Sequence, residues 1–138
     1  MKSYTLILPL PLNKANSRMH WAVERKRRLQ YFDTADLLCA KAVRQRKKYP
    51  PSVQTTLAAT FYLWSSMDQD NLMARLKWPV DWLIHAGFIV DDSPAYLLHL
   101  GIPKQEIDRK YQRLVLQLTE GNLQLNSEEN NGGKNNGL

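Results

Sequence analysis

The chain has 138 residues, 43% hydrophobic content and a formal charge of +6, enough for one domain with a modest core and too little for two. No run of about 18 apolar residues occurs, and residues 1–12 lack the basic start and small-residue cleavage site of a signal peptide, so a cytoplasmic protein without membrane contact is expected. The single cysteine, Cys39, excludes an internal disulfide and a thiolate-rich metal centre; its apolar helical spacing predicts core filling.

Ser3 to Leu8 reads as a strand closed by Pro9 and Pro11. Leu12 to Trp21 is a loop in which Asn13, Lys14, Asn16, Arg18 and His20 suit phosphate contacts on irregular backbone, or an ordinary solvated loop. From Ala22 to Lys47 the period is helical, with Leu29, Phe32, Ala35, Cys39, Ala42 and Val43 as the apolar stripe. Arg25, Lys26, Arg27 and Arg28 crowd the first turns, where cations oppose the helix dipole, so a polyanion partner rationalises them better than helix stability does. Charge is uneven: eleven Lys or Arg face three acids between Lys14 and Lys48, a local balance of +8, and the remainder is acidic by two. Cations for a phosphate backbone beside a separate set of carboxylates are what a nuclease needs, although many basic helices are only solvated faces.

Val53 to Trp64 alternates, with Leu57, Ala59, Phe61 and Leu63 on a buried face. A helix then runs to about Ala86, with Leu72, Leu76, Val80 and Leu83 as its stripe, a kink or restart imposed by Pro79, and Gly87 as a left-handed stop. Ile89 to Val90 and Ala95 to Leu100 read as short extended pieces around the Asp91-Asp92-Ser93-Pro94 turn, and Tyr111 to Leu118 as the last strand. Residues 1–120 thus form one domain, and 121–138, rich in Asn, Gly, Ser and Glu, a disordered polar tail. The order β-α-β-α-β-β predicts an α+β domain, a small mixed sheet with two helices packed on one side.

Asp68 and Asp70 stand two apart where a strand runs out and can point at one place. Paired carboxylates repel unless a cation lies between them, which favours a hard divalent ion with oxygen ligands. Mg²⁺ keeps waters and uses one or two carboxylates, leaving room for phosphate oxygens and an attacking water. Asp91 and Asp92 are the other clustered acids. Lys77, two helical turns beyond Asp70, could approach a phosphate; Arg75 is rotated away. Helix capping by Asp70, turn chemistry at Asp91-Asp92 and a solvated Lys77 are the competing explanations. His85, His99, Trp64, Trp78 and Trp82 are expected to serve packing or surface roles.

Tyr4-Thr5-Leu6-Ile7-Leu8-Pro9-Leu10-Pro11 with Asn13 and Asn16, then Asp68-Gln69-Asp70-Asn71-Leu72, then Ala86-Gly87-Phe88-Ile89-Val90-Asp91-Asp92, together resemble the RusA-type Holliday junction resolvase family over Tyr4 to Leu118. That resemblance implies a homodimeric endonuclease of DNA recombination and repair, dependent on Mg²⁺ with Mn²⁺ as a substitute, that cuts four-way DNA junctions symmetrically. It implies metal ligands at Asp68, Asp70 and Asp92, with Asp91 as an acidic neighbour and Lys77 as the active-site lysine. The stretch from Leu72 to Lys77 is about three residues longer than the family pattern, close to one helical turn. A non-catalytic basic DNA-binding protein and a nuclease for flaps, forks or RNA are the alternatives.

Overall fold

The computed structural model describes residues 3–12, 20–48 and 54–121. Nine elements follow in order: β1 (Ser3–Leu8), α1 (Trp21–Leu38), α2 (Ala40–Lys48), β2 (Thr55–Leu63), α3 (Gln69–Arg75), α4 (Lys77–His85), β3 (Leu97–His99), β4 (Lys104–Ile107) and β5 (Arg113–Glu120). The expected disordered tail lies outside the described residues, apart from Gly121, whose N–H bonds the Gln54 carbonyl.

The sheet order is β1-β5-β2-β3, with β4 also on β2. β5 runs antiparallel to both β1 and β2, while β3 and β4 run parallel to β2. Parallel neighbours need a long crossover, and α3 with α4 supplies the one between β2 and β3. Leu6 and Leu8, Leu57 to Leu63 at alternate positions, and Leu114, Leu116 and Leu118 face one side and meet Tyr31, Phe32, Ala35, Leu72, Trp78, Trp82 and Leu83 from the helices. The expected α+β sheet with helices on one side is therefore present.

α1 and α2 differ from one continuous helix only at Cys39, whose thiol is buried and donates to the Ile7 carbonyl at 3.6 Å. Burial, above all, pushes that thiol up to about 11, so Cys39 is a protonated core group at neutral pH. Leu29, assigned to the stripe, is exposed. At 100° per residue the buried arc centres on Arg28, Tyr31, Phe32, Ala35 and Cys39, and Leu29 lies roughly 110° from that centre.

The second helical unit breaks at Leu76 rather than at Pro79, and Pro79 falls in the first turn of α4. A first-turn N–H has no intrahelical acceptor, so proline costs little there. Gly87 has φ +86°, and Phe88 N–H bonds Leu83 O at 2.8 Å while Gly87 N–H bonds Ile84 O at 3.1 Å. This is the left-handed helix stop expected at that position.

Residues 89–90 are not a strand, and the 95–100 piece contracts to Leu97–His99. β4 was not expected. Its Lys-Gln-Glu-Ile sequence lies at the sheet border, where no apolar alternation is required. The border is interrupted: Leu57 pairs His99 and Thr60 pairs Lys104, so residues 100–103 bulge out, with Gly101 at φ +71°. Trp78 and Trp82 are core residues, whereas Trp64 is 60% exposed.

Candidate functional site

The acidic segment begins where β2 ends. Met67 N–H donates to Gln105 Oε1 at 3.0 Å, and Gln105 Nε2 donates to the Met67 carbonyl at 2.9 Å. β4 thus grips both backbone groups of the residue before Asp68. Arg75 Nη1 adds a 3.6 Å contact to Met67 Sδ. Asp68, extended at φ −65° and ψ 148°, is the N-cap of α3 by position, but its side chain makes no capping hydrogen bond; its carbonyl accepts from Leu72 N–H at 3.1 Å. Asp70 sits in the first turn. Both side chains are exposed, and among the described residues no hydrogen-bond donor or ion-pair partner engages either carboxylate. Capping does not account for them.

Asp70, Met73 and Ala74 are spaced i, i+3, i+4 and share a helix face. Met73 and Ala74 line a cavity of about 360 Å³ whose wall also includes Leu76, Lys77, Val80, Asp92 and His99. Asp70 does not itself line that cleft, to which Lys77 and Asp92 both contribute, but precedes by about one helical turn two residues that do. Lys77 Nζ lies 3.5 Å from Asp81 Oδ1, and Arg28 Nε lies 3.6 Å from Asp81 Oδ2. Asp91 Oδ1 accepts the Asp92 N–H at 2.6 Å, the turn chemistry open to it, whereas the Asp92 side chain is exposed at the cavity. Asp68, Asp70, Asp91 and Asp92 do not close into one cage: among the described residues no group of three or more His, Cys, Asp or Glu side chains is placed to hold a metal ion. Asp68 and Asp70 are expected to share one side of an extended strand end, but only Asp68 is extended and Asp70 is helical, so their two-residue spacing does not by itself aim both at one point; each carboxylate is unengaged, and Mg²⁺ takes only one or two from a protein.

Asn13, Lys14, Asn16 and Arg18 lie outside the described residues. Just before them in the chain, Tyr31 Oη donates to the Pro9 carbonyl at 2.9 Å, and Arg75 Nε and Nη2 donate to the Pro11 carbonyl at 3.1 and 2.7 Å. Arg75, the weaker phosphate candidate because it is rotated away, instead ties Pro11 to α3. His20 is the N-cap of α1, its Nδ1 accepting from Ala22 N–H at 3.2 Å. Arg25, Lys26 and Arg27 are exposed, and Arg27 borders a cavity shared with Pro9, Leu10 and Leu12. Arg28 is half-buried over the Phe32 ring, 4.8 Å from its centroid.

Arg46 was hidden in a run of cations. Only 1% exposed, it pairs with Glu120 and donates to the Gly87 carbonyl at 3.1 Å and the Phe88 carbonyl at 3.2 Å, fastening the turn that leads to Asp91 and Asp92. Its one sequence signal was its place on the buried arc of the helix, seven residues beyond Cys39. Gln105 gave no signal, since a side chain reaching a distant backbone leaves no periodicity. The Lys77–Asp81 pair was readable from its i, i+4 spacing. No protein-family model matches this chain, and no curated protein matches it.

Proposed function

We propose that this chain is a metal-dependent endonuclease of branched DNA, of the RusA resolvase type, acting on four-way junctions as a homodimer. One observation carries the reading: Asp68 and Asp70 stand exposed and unengaged on a backbone gripped immediately upstream by Gln105. Carboxylates that neither cap nor pair, on a stiffened support beside a cleft, are the oxygen donors a hard divalent ion takes. Asp68 and Asp70 would hold Mg²⁺ or Mn²⁺, which supplies a water acidic enough to attack at neutral pH and offsets charge developing on the phosphate. Lys77, 69% exposed and among the described residues paired with Asp81 alone, is exposed enough to meet a phosphate oxygen. Asp92, which lines the cleft with Lys77, would add a further carboxylate. Arg25, Lys26 and Arg27, exposed on α1, with Arg27 bordering the cavity that Pro9, Leu10 and Leu12 line, offer phosphate contacts that position the strand without reading its bases. Two symmetric cuts require two sites, which a twofold dimer supplies.

The test is incubation of the protein with a synthetic four-way junction, with and without Mg²⁺ or Mn²⁺, beside duplex, flap and fork DNA. Asp70→Asn should bind the junction like the wild type and cut it more than about a hundredfold more slowly, beyond what loss of an outer-shell partner costs. Cleavage by this variant at the wild-type rate discards the assignment. A second reading, a non-catalytic DNA-binding protein, is favoured by Asp91 being committed to its own turn; it wins if the junction is bound but divalent ions neither bind near Asp68 and Asp70 nor support cutting.

A further inference from the structure

The end of the sheet nearest Asp68 carries aromatic rings and cations that the nuclease reading does not use. Asp108 closes the turn between β4 and β5 by accepting the N–H groups of Lys110 at 3.0 Å and Tyr111 at 3.1 Å. Its other oxygen takes Arg113 Nη1 at 2.9 Å, and these donors, Arg113 first, hold the carboxyl below the usual carboxylate range. Arg113 lies between two rings, 3.8 Å from the Tyr62 centroid and 4.7 Å from the Tyr111 centroid. Arg109 lies 5.5 Å from the Trp64 ring centroid while its Nε donates to the Trp64 carbonyl at 3.3 Å. Although both rings touch a guanidinium, Trp64 remains 60% exposed and Tyr111 53% exposed.

We propose that this surface is a stacking platform for an unpaired DNA strand, with Trp64 and Tyr111 taking bases and Arg109 and Lys110 taking phosphates. Exposed tryptophan and tyrosine offer wide flat faces, and a cation set against such a face strengthens stacking of a base. Between Lys104 and Arg113 four cations (Lys104, Arg109, Lys110, Arg113) face two acids (Glu106, Asp108), a local balance of +2 that fits a polyanion, with Asp108 paired to Arg113 and Glu106 exposed on β4. Duplex bases already stack on each other, so the ring faces select strand released at a branch. Trp64 precedes Asp68 by four residues, at most about 14 Å of extended chain, so a strand seated here leads toward the acidic segment. That last step rests on the endonuclease reading; binding at the platform does not.

The experiment measures fluorescence anisotropy of a labelled short oligo(dT) with the full chain in chelator, so that cleavage plays no part. Trp64→Ala and Tyr111→Ala should each weaken binding about 5- to 150-fold, the range for losing one stacked base. Trp64→Phe should restore most of it, and Arg109→Ala should flatten the salt dependence. Thermal unfolding of each variant establishes that it is folded. Oligo(dT) affinities within twofold of wild type for both alanine variants overturn the platform. So does equal competition by blunt duplex, or by polyglutamate, which shares only the charge. Trp64-dependent oligo(dT) binding with no junction cleavage in Mg²⁺ defeats the nuclease and leaves the platform standing; cleavage with binding indifferent to Trp64 and Tyr111 does the reverse.

Discussion

Asp68–Asp70 and Asp91–Asp92 are both acidic pairs on exposed chain, yet the fold holds them by different means. The first is held at close range: Gln105 binds both backbone groups of Met67, one residue before Asp68, through two neutral hydrogen bonds. The second is held from a distance by a buried cation, since Arg46 fixes the carbonyls of Gly87 and Phe88 and leaves Ile89 and Val90 to carry the chain to Asp91. Once there, Asp91 closes on the Asp92 N–H, whereas the Asp68 and Asp70 carboxylates have no partner among the described residues. One pair has its backbone hydrogen-bonded just upstream and its carboxylates unpaired among the described residues. In the other, a single carboxylate shapes the turn and its neighbour faces the cleft.

Removing the remote anchor should have the largest effect. Arg46→Ala leaves Glu120 and two carbonyls without their cation and is expected to cost about 3–5 kcal/mol, the range for breaking a buried pair, read as a fall in Tm of at least about 10 °C. A fall below about 2 °C would mean that the second segment does not depend on Arg46. Within that segment, Asp92→Asn should slow junction cleavage by about a hundredfold, whereas Asp91→Asn, whose amide oxygen can still accept the turn hydrogen bond, should slow it by less than about tenfold. Equal losses would erase the distinction drawn between the two aspartates.

At the first segment, Gln105→Leu strips the Met67 N–H and carbonyl of their partner. It is expected to weaken metal binding about 10- to 100-fold by calorimetry while costing about 1–3 kcal/mol of stability. Unchanged metal affinity in that variant would reduce the grip to a structural bond. The smallest effect belongs to Asp81→Asn: its partners are half-exposed or exposed at 3.5–3.6 Å, so stability should move by no more than about 1 kcal/mol.

The same contrast explains what could be read without coordinates. β1, β2 and β5 each bury one face, which forces the alternation that betrays a strand, and Gly87 declared the helix end because few other residues accept its backbone angle. β4 has no buried face to declare. Pro79 marked a disturbance but not its position, because proline is accommodated by moving the helix start to just before it. At the site, Asp68 and Asp70 were legible as residue types at a spacing. Gln105, Arg46 and the Arg75 tie to Pro11 were not, since each joins segments more than thirty residues apart through a backbone group that every residue possesses.

The interrupted border opposite β1 has a consequence for how molecules meet. A run from Leu97 to Ile107 could have been one long ribbon edge, open to zipping with the same edge of a neighbouring molecule. Divided instead into stubs of three and four residues by a bulge that contains Gly101 and Pro103, it offers no continuous row of donors and acceptors. The sheet is thereby protected on that flank from edge-to-edge growth by strand addition.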